Sequence, residues 1–179
     1  VWYFFAYWLP KFLNEKHEIS LLEMGPPLVT IFLISDLGSI AGGWLSSHFI
    51  KRGKSVDYAR KATILIFGFC ALPIIYASQV DDLWTAVALI SLGMAAHQAC
   101  STNFFSIVSD VFPKNAVASV TGLAGMSGAI SGMFAALMVG WILETTGSYI
   151  LIFSMFSSMY LIAWIILKIG IPKIQLNFF

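Results

Sequence analysis

Residues 36–61, DLGSIAGGWLSSHFIKRGKSVDYARK, decide how the rest of the chain is read. A carboxylate, Asp36, stands inside an apolar helical run; a stripe of small residues follows, and the run ends in a basic cluster. A charge at bilayer depth is costly and therefore rare, which marks Asp36 as a candidate functional group. Gly38, Gly42 and Gly43, with Ser39, Ser46 and Ser47, recur at three- and four-residue spacing, which lets a neighbouring helix approach closely. Lys51, Arg52, Lys54, Arg60 and Lys61 read as one basic loop that keeps this end of the helix in the cytoplasm.

Composition supports a membrane reading for the whole chain. Of its 179 residues, 59% are hydrophobic and 11% charged, and the mean hydropathy is +0.85. Soluble domains carry about 25% charged residues, and a fold of this size could not hide so much apolar surface from water. The basic residues form one short cluster rather than a surface stripe, so no nucleic-acid partner is expected. Cys70 and Cys100 lie in apolar runs without disulfide or metal spacing. Six Trp and six Tyr suit interfacial belts.

Outward from residues 36–61, the hydrophobic runs mark six helices. The opening segment, VWYFFAYWLPKFL, lacks both Met and the basic region of a signal peptide. It is shorter than the roughly 20 residues a span needs. It reads as the second part of a truncated helix, and the chain as a fragment. A polar connection over 14–25 precedes an apolar run over 26–50. A third span over 62–77 is bent near Pro73, and an acidic turn follows at 78–82. The last spans are expected over 83–109, 116–143 and 149–167. The expected fold is all-α and polytopic, with a six-helix transmembrane bundle over 1–172 and a cytoplasmic tail over 173–179.

Charge tests that count. With loops alternating sides, Lys51, Arg52, Lys54, Arg60, Lys61, Lys114, Lys168 and Lys173 share one side, leaving Lys11 and Lys16 on the other. Glu15, Glu18, Glu23, Asp81, Asp82 and Glu144 gather opposite the basic side. The basic bias sets orientation, so the C-terminus is expected in the cytoplasm of a cell whose inner membrane holds the chain.

In the fifth helix Gly128, Gly132, Ala136 and Gly140 repeat every four residues, suiting tight static packing or a smooth face for rocking helices. No metalloprotease, P-loop or nucleophile-elbow signature is present, so neither an enzyme nor a metal or cofactor is expected. What remains is a set of polar residues at membrane depth. Asp36 is either a protonatable coupling site or a structural carboxylate. On the fourth helix, AAHQACSTNFFSIVSD, His97 and Ser101 are i,i+4 neighbours, and Gln98 shares a face with Ser101 and Thr102. Neutral donors beside aromatic surfaces suit a hydroxyl-rich, sugar-like ligand bearing a carboxylate; interhelical hydrogen bonding is the alternative. Asn103, and Tyr3 and Tyr7 of the first helix, are further candidates for the same cavity.

The order and spacing of these pieces resemble the C-terminal six-helix half of a major facilitator superfamily transporter. More narrowly, they resemble the anion:cation symporter family and its bacterial hexuronate branch. The resemblance is carried by WYFFAYWLPKFL, DLGSIAGGWLSSHFIKRG, ARK at 59–61, AAHQACSTNFFSIVSDVFPKNAVASVTGLAGMSGAISGM and GSYILIF. It implies a proton-driven importer of glucuronate or galacturonate, with aldonates and aldarates as alternatives, in which two six-helix halves rock about a central site. It also implies a missing N-terminal half, a surrounding lipid bilayer, and cavity-facing residues on the helices of Asp36 and His97. Ser46 and Ser47 stand where the superfamily's loop signature usually has an acidic residue. An accessory six-helix subunit without transport activity is the reading from another class.

Overall fold

Helix boundaries follow local capping chemistry. Pro26 and Pro27 sit in the first turn of the second helix, where a missing N–H costs nothing. The Ser55 hydroxyl accepts a hydrogen bond from the Tyr58 N–H at 3.2 Å and opens the third. Asp82 accepts from Thr85 N–H at 2.7 Å and opens the fourth. The fifth starts after Pro113 and stops at Gly147, whose φ of 63° only glycine adopts freely.

The computed structural model describes residues 2–20 and 22–174. Among them are α1 (Trp2–His17), α2 (Gly25–Lys51), α3 (Val56–Cys70), α4 (Leu83–Val111), α5 (Lys114–Thr146) and α6 (Tyr149–Gly170). A 3-10 segment, Leu72–Ser78, continues α3 beyond Pro73. Five helices are long and apolar enough to cross a membrane, counting α3 with its continuation as one; α1 has 16 residues. The fold is all-α and multi-pass. Most of the expected tail, residues 175–179, lies outside the described residues.

One boundary corrects the sequence reading. α3 begins at Val56, six residues before the expected start, so Arg60 and Lys61 are helical and not part of a solvated loop. Ser55 caps this turn, and Asp57 in it favours the positive end of the helix dipole. Lys51 is the last residue of α2, and Arg52 caps it.

Two ends of the bundle gather the two sets of charges. At the acidic end Lys16 pairs with Asp81 at 3.0 Å, and the Tyr149 hydroxyl donates to Glu15 at 2.6 Å. At the basic end Arg60 pairs with Asp110 at 2.8 Å and donates to the Ser46 hydroxyl at 3.0 Å. Lys61 pairs with Asp57 at 2.6 Å and donates to the carbonyls of Ile171 and Pro172 at 2.8 and 3.0 Å. Asp110 thus supplies, from α4, the acid beside Ser46 that Arg60 of α3 pairs with.

The helices pack unequally. α2 buries Ile31, Ser35, Gly38, Gly42 and Ser46, a three- and four-residue stripe laid on α4. A Cβ on Gly38 would meet the Ala95 backbone, and one on Gly42 would stand 2.6 Å from the Ala99 Cα. α1 places Phe4, Leu9 and Phe12 in the main core, where Phe4 stacks on Phe156 at 4.9 Å and Phe12 meets Phe153 edge-on at 5.2 Å. α5 buries only Gly132 and Val139.

Candidate functional site

The loose seating of α5 leaves a cavity of about 780 Å³ between α1, α4, α5 and α6. α4 contributes His97, Gln98, Ser101 and Phe105, which the helical repeat places on one face. α1 contributes Trp2 and Tyr3, α6 contributes Phe156 and Met159, and α5 contributes a wall of small residues that includes Gly125 and Gly128. A Cβ added at either glycine would meet nothing within 4 Å, so here small residues make space rather than contact. A second cavity of about 390 Å³ adjoins it past His97 and Ser101, lined by Phe104, Val108, Tyr160 and Ala163.

His97 is the most constrained polar group of the cavity. Its Nδ1 lies 3.0 Å from the Tyr160 hydroxyl of α6, and its ring stacks on Trp2 of α1 at 6.1 Å. Three helices therefore fix one imidazole. Tyr3 lies against Gly132, where any side chain would strike the phenol ring. Among the described residues the lining carries no Lys, Arg, Asp or Glu. Its polar groups are hydroxyls, an amide, an indole and an imidazole, set among aromatic and methionine surfaces. Such a wall hydrogen-bonds a polar ligand without a full charge of its own. Among the described residues no group of three or more His, Cys, Asp or Glu stands together to hold a metal.

Tyr3, His97, Gln98 and Ser101 are thus brought together, and three other candidates are not. Asn103 is fully buried, and its amide donates to the carbonyls of Gly42 at 3.1 Å and Ala99 at 2.9 Å. The reason is Gly42 itself: without a side chain, its carbonyl comes within reach of α4. Asn103 is a fastener between α2 and α4, not a cavity residue. Tyr7 is 68% exposed and stacks on Tyr3 at 6.2 Å, outside the lining. Asp36 lies on the exposed face of α2 beside Leu33, Leu37 and Ile40, away from the cavity.

Sequence reasoning missed Trp2, Phe156, Met159 and Tyr160. Tyr160 left a signal: it continues the buried stripe Ile152, Phe153, Phe156, Ser157 of α6. A phenol in such a stripe needs a hydrogen-bond partner. At the acidic end, the hydrogen bond from Lys16 holds the Asp81 carboxyl below its ordinary range, and hydrogen bonds from Thr85 do the same for Asp82.

Comparison with known proteins agrees with this architecture. Residues 1–136 match the sequence profile of the Major Facilitator Superfamily. The chain is 29% identical over 147 residues to a protein of Bacillus subtilis (strain 168) described as a probable galactarate/D-glucarate transporter, covering 82% of this chain and 32% of the relative. It is 31% identical over 147 residues to the hexuronate transporter of Escherichia coli (strain K12), covering 82% and 34%. It is 25% identical over 145 residues to the D-galactonate transporter of Escherichia coli O6:H1, covering 81% and 34%. The chain spans about a third of the length of the curated relatives it matches. With a profile match over most of its length and a multi-pass helical bundle that agrees with it, the chain belongs to the Major Facilitator Superfamily.

Proposed function

We propose that this chain forms the C-terminal half of a secondary transporter that imports a sugar acid, with a hexuronate such as glucuronate or galacturonate as substrate. The observation that carries the reading is the cavity lined by Tyr3, His97, Gln98 and Ser101. Its neutral donors match a ring of hydroxyls, its aromatic faces match the apolar faces of a sugar, and its size falls in the range of small-molecule sites. An N-terminal six-helix half supplies the opposite wall and the cation that neutralises the carboxylate. The two halves rock about the substrate in alternating access, driven by proton symport.

Asp36 takes the coupling role in this scheme. Its carboxylate sits within an exposed apolar helix face, and facing lipid there is costly. Cover by the other half gives it a protein surface and a route for protons. The bias of basic residues orients the bundle with its basic end and C-terminus in the cytoplasm, in the inner membrane. Residues 1–172 form the bundle and residues 173–179 the tail.

Uptake by the full-length protein in proteoliposomes tests the reading. Labelled galacturonate and glucuronate are followed with and without an inward proton gradient, against a panel of galactonate, glucarate and uncharged hexoses. Gradient-driven uptake competed by hexuronates, weakened in His97→Ala and uncoupled in Asp36→Asn, is the expected result. Uptake of galactonate or glucarate in preference replaces the substrate and keeps the mechanism. No uptake of any sugar acid overturns the reading in favour of an accessory subunit.

A further inference from the structure

Tyr160 enters neither the charge pattern nor the lining of the main cavity, yet it is a buried phenol at the centre of the bundle, 8% exposed. Its hydroxyl has one partner among the described residues, the Nδ1 of His97 at 3.0 Å. A neutral imidazole carries one donor and one acceptor, and the bond at one nitrogen decides which tautomer is present. If Nδ1 held the proton and donated it, the phenol's own hydrogen would have no acceptor among the described residues. If the phenol donates, its hydrogen and the Nδ1 lone pair satisfy each other, and the imidazole proton lies on Nε2, free for a ligand. The Trp2 ring lies alongside His97 at 6.1 Å and an interplanar angle of 25°.

We infer that Tyr160 is a positioning residue that locks His97 in the Nε2–H tautomer, so that the imidazole presents a hydrogen-bond donor to an anionic or hydroxylated ligand in the cavity. The inference rests on the reading above that this cavity holds the substrate. His97 lines the cavity, and its Nε2 makes no hydrogen bond to a described residue. A cavity whose lining lacks Lys and Arg depends on such oriented neutral donors to meet a carboxylate or a ring of hydroxyls. Without the Tyr160 hydroxyl, Nδ1 is an acceptor with no donor. The imidazole then shifts toward the tautomer that turns a lone pair, not a proton, toward the substrate.

The test is a cycle of substitutions in the full-length transporter, read as KM and maximal rate of hexuronate uptake. Tyr160→Phe is expected to raise KM about tenfold with the maximal rate retained, the loss of one hydrogen bond to a charged group. His97→Gln places an amide N–H near the position of Nε2 without needing Tyr160, and is expected to raise KM less than His97→Asn does. His97→Asn keeps a partner for Tyr160 but does not reach the cavity, and is expected to raise KM as Tyr160→Phe does. In the His97→Gln background, Tyr160→Phe is expected to change nothing. An equal rise in KM from Tyr160→Phe in both backgrounds, or no rise in either, overturns the inference. The nitrogen chemical shifts of the His97 ring, assigned by their loss in His97→Gln, give a readout that does not need transport. A proton on Nε2 that moves toward Nδ1 in Tyr160→Phe is expected; a proton on Nδ1 in the parent overturns the inference even if the cavity's substrate is something else.

Discussion

α2 and α5 carry the same kind of sequence signal and come to opposite ends. Both bear glycines and small residues at helical spacing, which in a membrane allows close packing. In α2, Gly38 and Gly42 are pressed against Ala95 and Ala99 of α4, and the seam is fastened by hydrogen bonds from Ser35 to the Met94 carbonyl at 3.3 Å and between Ser39 and Thr102 at 2.8 Å. In α5, Gly122, Gly125 and Gly128 face open space, while a Cβ on Gly132 would strike the ring of Tyr3 and one on Gly140 would touch Trp8 at 3.6 Å. The side chains of α5 donate to its own turns, as Ser127 does to the Leu123 carbonyl, and the Thr146 hydroxyl accepts from the N–H of Ser148 just beyond it. A small-residue stripe permits contact without commanding it. Where a partner presents backbone and matching small residues, the stripe becomes a weld; where none does, it becomes a wall around a cavity.

The contrast is broken most severely at the weld. Gly42→Val puts side-chain atoms onto the Ala99 backbone, which cannot yield as a flexible side chain can, and draws the Gly42 carbonyl away from Asn103. A loss of about 3 kcal/mol, the upper part of the overpacking range, is expected in thermal unfolding of the detergent-solubilised protein. A loss below that of an ordinary surface substitution would remove the weld from the description. Asp110→Ala is expected to follow. It leaves the Arg60 guanidinium, 14% exposed, with the Ser46 hydroxyl alone, and about 2 kcal/mol is expected to disappear in the same melts. Restoration of the parent value by charge-neutral Arg60→Met in the Asp110→Ala protein would show that the stranded cation carries the cost.

The wall answers differently. Gly122→Ala adds a methyl group to open space in a helix, so stability is expected to rise by about 0.5–1 kcal/mol with uptake unchanged. A drop in the unfolding temperature would mean that α5 packs as α2 does. The smallest change is expected from acidification at the exposed Lys16–Asp81 pair. The folded carboxyl titrates below its ordinary range, so this pair stabilises the fold above the unfolded pKa. That contribution fades as the pH falls from about 4 through the lowered folded value. A Lys16→Met protein is expected to lack this acid-dependent part of the melting curve, and a curve identical to the parent's would show that the pair contributes nothing.

Much of this arrangement was legible in the sequence, because spans, turns and charge bias are local or additive properties. Six helices follow from the hydrophobic runs, the two charge-sorted ends from the alternation of loops, and the shared face of His97, Gln98 and Ser101 from helical periodicity. What was not legible depends on which helix meets which. Arg60 and Lys61 read as loop residues because basic side chains are ordinarily solvated; Asp110 of α4, Ser46 of α2, Asp57 and the carbonyls after α6 explain why they can be helical and largely hidden. Asn103 has the polarity of a cavity residue, but its fate was decided by a glycine 61 positions away. Tyr160 is separated from His97 by 63 positions. The pairing depends on how α4 leans on α6, which neither helix encodes by itself.

The clamp around Lys61 has a consequence for the timing of biosynthesis. Its ammonium is held by carbonyls 110 and 111 residues further along the chain, while the Asp57 carboxylate accepts from the N–H of Ile174 at 2.9 Å. At ribosomal speeds of about 5–20 residues per second, those partners emerge roughly 5–20 s after Lys61 itself. Until then the Lys61 ammonium has Asp57, one turn back in its own helix, as its partner, while Arg60 already ties α3 to Asp110 and Ser46. A chain cut before Ile171 leaves that buried ammonium without its two carbonyls, so the closing of α3 onto the segment after α6 waits for residues made long after Lys61.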